Sequence, residues 1–125
     1  MSHSKIVRVL IVDDHDMVRL GLTTFFDTCD DLEVVGEAKN GQEAVQLCEV
    51  LQPDVILMDV GMPIMDGVTA TRLIVERYPH IRIIVLTNSM GAKRESKALE
   101  AGASLVLRKT VSVDHLASAI RDATQ

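Results

Sequence analysis

A chain of 125 residues and 13.7 kDa is long enough for one domain that buries roughly two-thirds of its unfolded surface. With 47% apolar and 25% charged residues, its composition excludes intrinsic disorder; a net charge of −5 and the absence of any basic block argue against direct nucleic-acid binding by this segment. A membrane span needs about 20 apolar residues. The run Val9 to Val12 ends against Asp13 and Asp14, which argues against both a span and a signal peptide there.

In chain order, short apolar runs alternate with segments whose apolar residues recur every three or four positions, the pattern of repeated strand and helix units. The runs are Ile6 to Val12, Glu33 to Ala38, Val55 to Met58, Arg82 to Leu86 and Leu105 to Leu107. Four are rich in Val, Ile and Leu, as expected of parallel strands covered on both faces. Glu33, Gly36 and Glu37 interrupt the second, which places it at an edge.

The intervening helices show apolar stripes at Val18, Leu22, Phe25 and Phe26, at Ala44, Leu47, Cys48 and Leu51, and at Val113, Leu116, Ala117 and Ile120. Asn40 with Glu43 three residues on reads as a capped helix start, and Asp66 with Gly67 as a cap and turn. Pro53 and Pro79 follow helices as stops, and Gly102 fits the left-handed residue just past one. The segment Gly91 to Ala101 has only Ala92, Ala98, Leu99 and Ala101 to bury, so it is expected to be the least anchored helix. Cys29 and Cys48 lie 19 residues apart without metal spacing and read as buried free thiols of a reducing cytoplasm.

Right-handed crossovers between parallel strands give an α/β, doubly wound sheet of order 2-1-3-4-5. Ligands collect at the carboxyl ends of its strands, where the order reverses. Asp13 and Asp14 follow the first strand, Asp59 the third, Thr87 the fourth and Lys109 the fifth. Two carboxylates about 5 Å apart repel by roughly 3 kcal/mol at an effective dielectric near 20. Lys109 and a hard divalent cation such as Mg²⁺ would compensate. Singly, each residue fits a solvated loop end with a surface ion pair; together they point to a site.

The segments Val12-Asp13-Asp14-His15, Leu57-Met58-Asp59-Val60-Gly61-Met62-Pro63-Ile64-Met65-Asp66-Gly67, Val85-Leu86-Thr87 and Gly102-Ala103, followed by Lys109, resemble the receiver domain of bacterial two-component response regulators. The resemblance covers almost the whole chain and implies a flavodoxin-like (βα)5 fold. It also implies that Asp59 accepts a phosphoryl group from a sensor histidine kinase. Asp14, Asp59 and the backbone carbonyl of Gly61 would hold Mg²⁺, with Asp13 acting largely through water. Thr87 would be the switch hydroxyl, and Lys109 would pair with the phosphoryl oxygens. A carboxylate attacks an anionic phosphorus poorly, so charge neutralisation is what the site must provide. Phosphorylation would then draw Thr87 inward, shift the weakly anchored helix and change a protein-binding face, with homodimerisation as one outcome.

Three positions depart from the family pattern. Val106 stands where an aromatic residue usually rotates with the switch hydroxyl, which leaves a non-switching binding scaffold as an alternative. Asn88 replaces a small residue and narrows access to the phosphoryl site. Thr110 follows Lys109 where Pro with a cis bond is common. A haloacid-dehalogenase-like phosphatase also uses an aspartyl phosphate, but needs a second aspartate where Gly61 stands. His15 is expected to face solvent at a helix start rather than to ligate metal, and Met58, Met62 and Met65 to pack rather than bind copper. The opening Val-Asp-Asp-His resembles regulators with a C-terminal LuxR-type helix-turn-helix domain. The expectation is one cytoplasmic receiver domain over 1–125, either excised from such a protein or free-standing.

Overall fold

Branched apolar runs become strands here because helices cover both of their faces. The computed structural model describes residues 5–88 and 92–125. Ten elements alternate along them: β1 (Val7–Val12), α1 (Asp16–Phe26), β2 (Leu32–Ala38), α2 (Gly41–Leu51), β3 (Val55–Asp59), α3 (Gly67–Arg77), β4 (Arg82–Thr87), α4 (Ala92–Ala101), β5 (Leu105–Arg108) and α5 (Val113–Ala123). The strands form one parallel sheet of order β2-β1-β3-β4-β5, as the crossover argument requires.

Alternate residues of the central strands feed two cores. Leu10, Val12, Ile56, Met58, Ile83 and Val85 pack with Ala44, Cys48, Ala70, Ile74 and Ala98, which puts α2, α3 and α4 on one face. Val9, Ile11, Leu57, Ile84 and Leu86 pack with Phe26, Leu116, Ala117 and Ile120, which puts α1 and α5 on the other. Met58 and Met62 are buried in this packing and Met65 lies against it, as expected of filler side chains. Cys48 is buried and Cys29 half-buried, both as free thiols.

Local chemistry sets the element ends. Asn40 Oδ1 accepts from the Glu43 N–H at 2.9 Å and Glu43 Oε1 from the Lys39 N–H at 2.8 Å, which closes the start of α2. Asp66 Oδ1 caps α3 through the Thr69 N–H at 2.8 Å. Before Pro53, Gln52 takes the left-handed conformation that ends α2, at φ 46. Gly102, at φ +114, turns the chain out of α4, and an added Cβ there would also lie 2.9 Å from the Val75 side chain.

One expectation needs correction. The fifth run is not covered on both faces: β5 is the second edge of the sheet, and Leu105 is 38% exposed. Of the helix expected over Gly91 to Ala101, Ala92–Ala101 is helical, and Gly91 lies outside the described residues. Its weak anchoring holds: the buried side chains that α4 contributes among the described residues are Ala98 and Ala101, while Leu99 is exposed. Lys109–Thr110 is a trans peptide, since no cis bond occurs among the described residues.

Candidate functional site

The sheet delivers the polar residues to one rim. Strand pairing sets Val12 beside Met58 and Asp59 beside Leu86, so the carboxyl ends of β1, β3 and β4 run out together. The strands extend one residue further than the apolar runs suggest. Asp59 and Thr87 are the last residues of β3 and β4, and both are buried at 5% and 3% exposure. Asp13 leaves β1 with its N–H donating to the Ala38 carbonyl at 3.0 Å, and its side chain is buried too.

One ligand atom from each of Asp13, Asp14, His15 and Asp59 lies within 4.8 Å of all the others. The Lys109 ammonium, 13% exposed, bridges the cluster: Nζ donates to Asp13 Oδ2 at 2.7 Å and lies 3.2 Å from Asp59 Oδ1. Its backbone N–H donates to the Thr87 carbonyl at 2.9 Å, which fixes β5's end against β4's. Gly61 contributes its N–H to the Asp59 carboxylate.

Titration follows from this geometry. Burial acts to raise the Asp13 carboxyl, but hydrogen bonds from Lys109 and from the His15 backbone outweigh it and hold the group below its ordinary value. Asp59 goes the other way. Burial, and then the Asp13 charge, push it above its ordinary value against the opposing pull of Lys109. Burial works against the Lys109 ammonium, yet its hydrogen bond to Asp13 and the Asp59 charge keep it protonated above the usual range.

His15 stands at a helix start and is largely exposed, as expected. Its side chain is 60% exposed at the N-cap of α1, where it makes no capping bond. The ring nevertheless turns inward, with Nδ1 2.9 Å from Asp13 Oδ1 and 3.1 Å from Asp14 Oδ1. Only the Asp13 contact has hydrogen-bond geometry. Asp14 Oδ1 is therefore a buried carboxylate oxygen without a hydrogen-bond donor. An oxygen so placed, beside two further carboxylates, fits a hard divalent cation, which prefers oxygen ligands and would satisfy it.

Arg19 is the residue at this rim that pattern reading passed over. It stands on α1 at the same face as Leu22 and Phe26, 7% exposed, and its Nη1 donates to the Asp13 carbonyl at 2.6 Å. The signal was present: an arginine three residues before Leu22 and seven before Phe26 interrupts an otherwise apolar face. Val106 lies half-buried against the core beneath α4, an aliphatic side chain with no ring to reorient.

Residues 9–121 match the response regulator receiver domain family. The response regulator VraR of Staphylococcus aureus is 44% identical over 115 residues, covering 92% of this chain and 55% of its own length. The chain thus spans about half the length of the curated relatives it matches. The response regulator domain of Thermotoga maritima CheB is 36% identical, with a TM-score of 0.89 over 96% of this chain and 97% of that one. A LuxR-family two-component response regulator from Aurantimonas is 34% identical, with a TM-score of 0.89 over 94% of this chain and 84% of that one.

Proposed function

The chain belongs to the response regulator receiver family, and on that premise we propose that it takes a phosphoryl group on Asp59 from a sensor histidine kinase and converts it into a changed protein-binding face. The observation that carries the reading is the rim itself: a buried carboxylate at the end of β3, two more acids at the end of β1, and a half-buried ammonium touching both sides.

In the transfer, an Asp59 oxygen forms the new bond to phosphorus as the bond from phosphorus to the donor breaks, and the donor leaves with that electron pair. Lys109 is already oriented toward Asp59 and pairs with the arriving phosphoryl oxygens, which relaxes its hold on Asp13. Asp14, Asp59 and the Gly61 carbonyl would hold Mg²⁺, with Asp13 reaching it largely through water. A bound Mg²⁺ supplies neutralisation of negative charge on the phosphoryl oxygens. Thr87, at the end of the neighbouring strand, donates its hydroxyl to one of those oxygens, and its movement biases the face formed by α4, β5 and α5.

A cytoplasmic setting accords with this role, and among the described residues no helix is long and apolar enough to cross a membrane. The likeness to VraR and to the LuxR-family regulator supports a DNA-binding output domain in the whole protein and a kinase partner, with homodimerisation as a consequence of the altered face. Within this domain the acidic balance favours protein partners over nucleic acid. Val106 favours a second reading, a receiver-shaped scaffold that does not switch.

Incubation with acetyl phosphate and Mg²⁺ tests the proposal. The expected result is an intact-mass gain of one phosphoryl group that Asp59→Asn abolishes. No gain in the parent chain overturns the acceptor role. A gain without any change in amide exchange over α4 favours the scaffold.

A further inference from the structure

Arg19 is the one basic residue among the described residues that falls in the buried class, and its fork reaches three elements of the rim. Nε donates to Glu37 Oε1 on β2 at 3.0 Å, Nη2 donates to Asp16 Oδ1 in the first turn of α1, and Nη1 donates to the Asp13 carbonyl at 2.6 Å. Its positive charge is matched by Asp16 and Glu37. What the guanidinium offers the acidic cluster is geometry.

That geometry bears on one peptide. The Asp13 N–H is held by the Ala38 carbonyl at 3.0 Å, and the Asp13 carbonyl by Arg19. The first bond holds the Val12–Asp13 peptide and the second the Asp13–Asp14 peptide, the units on either side of the Asp13 Cα; it is the Arg19 contact that holds the unit linking the two residues whose carboxylates project into the cluster. The next residue then closes the turn, as the His15 N–H donates to Asp13 Oδ1 at 2.8 Å. Removing the Arg19 contact leaves a buried carbonyl without its donor and frees the peptide to rotate, carrying Asp13 and Asp14 out of register with Asp59.

We propose that Arg19 is a positioning residue for the divalent-cation site, fixing the Asp13–Asp14 peptide so that its carboxylates face Asp59. The proposal rests on the cation reading above and deepens it. Partners one step removed from a metal commonly set its affinity by about 10- to 100-fold. A lysine keeps the charge and stem but has no planar fork to span a carbonyl and two carboxylates.

Calorimetric titration of Mg²⁺ into the parent chain, Arg19→Met, Arg19→Lys and Arg121→Met tests it. Arg121 makes a comparable two-point pair with Asp31, at 2.6 and 3.0 Å, but at the amino ends of the strands. Both Arg19 variants are expected to bind Mg²⁺ about 10-fold more weakly, with Arg121→Met unchanged. In the metal-free chains, the His15 amide is expected to exchange faster in the Arg19 variants only. Arg19→Lys carries the test alone if Arg19→Met does not fold. Binding within twofold of the parent in a folded Arg19 variant overturns the positioning role, as does equal weakening in Arg121→Met. A parent chain that binds no Mg²⁺ overturns the cation reading itself.

Discussion

Asp59→Asn removes one charge from the rim while keeping its shape, and it is expected to stabilise the metal-free protein. Ligand oxygens of Asp13 and Asp14 each lie within 4.8 Å of one on Asp59. At an effective dielectric near 20, each pair repels by about 3.5 kcal/mol, so the two together come to about 7 kcal/mol. Lys109, 3.2 Å from Asp59, returns about 5 kcal/mol on the same scale. The balance runs about 2 kcal/mol against the charged form, and burial, which comes first among the causes that push the Asp59 carboxyl up, with the Asp13 charge second, acts in the same direction. For a domain of this size that is a rise in Tm of about 8 °C.

Linkage fixes how the gain depends on pH. With a folded value raised above the unfolded 3.8, Asp59 contributes stability that is fully present below 3.8 and lost as pH rises through the folded value. The advantage of the Asn variant over the parent should therefore grow across that window and level off above it. Differential scanning calorimetry in EDTA from acid to neutral pH measures this. Adding Mg²⁺ should raise the parent's Tm more than the variant's and narrow the gap. An Asn variant less stable than the parent in EDTA at neutral pH would refute the charge-crowding argument.

Lys109→Ala leaves Asp13 and Asp59 buried without their shared ammonium and is expected to cost about 3 kcal/mol in urea unfolding. It should leave Mg²⁺ affinity largely intact while abolishing any phosphorylation-dependent change in amide exchange over α4. The same variant bears on acid stability. The contribution of Asp13 is present above 3.8 and lost as pH falls through its lower folded value, so the acid limb below 3.8 should weaken once Lys109 no longer holds that carboxyl down. Gly67→Ala places a Cβ 2.1 Å from the Asp59 backbone oxygen and should cost about 3 kcal/mol together with most phosphoryl uptake, measured by urea unfolding and intact mass. Burial pushes the Cys48 thiol up to about 11, so a maleimide at neutral pH should label half-buried Cys29 and spare Cys48 in the folded protein.

The strand order and the convergence of Asp13, Asp14, Asp59 and Lys109 were legible because each rests on a rule that needs only chain order. Parallel crossovers have one hand, and strands of a parallel sheet share one carboxyl edge. What escaped was contact across elements. The inward turn of His15 depends on where the side chains of Asp13 and Asp14 point, which no periodicity in the sequence records. Arg19 sits in a helical face by spacing alone, but it is Asp16 one turn away, Glu37 on β2 and the Asp13 carbonyl together that make burying it tolerable. The end place of β5 in that order already implied an exposed edge, but its three consecutive apolar residues, read alone, look like a strand covered on both faces.

The smallness of Ala98 and Ala101 sets the scale on which α4 can answer an event at the rim. Two methyl groups withdrawn from water are worth on the order of 1.6 kcal/mol, about what one hydrogen bond to a charged group contributes. A helix resting on leucines would need several such bonds to dislodge it. If Asp59 is phosphorylated as proposed, footing this slight would let one new hydrogen bond from a rim hydroxyl shift the helix.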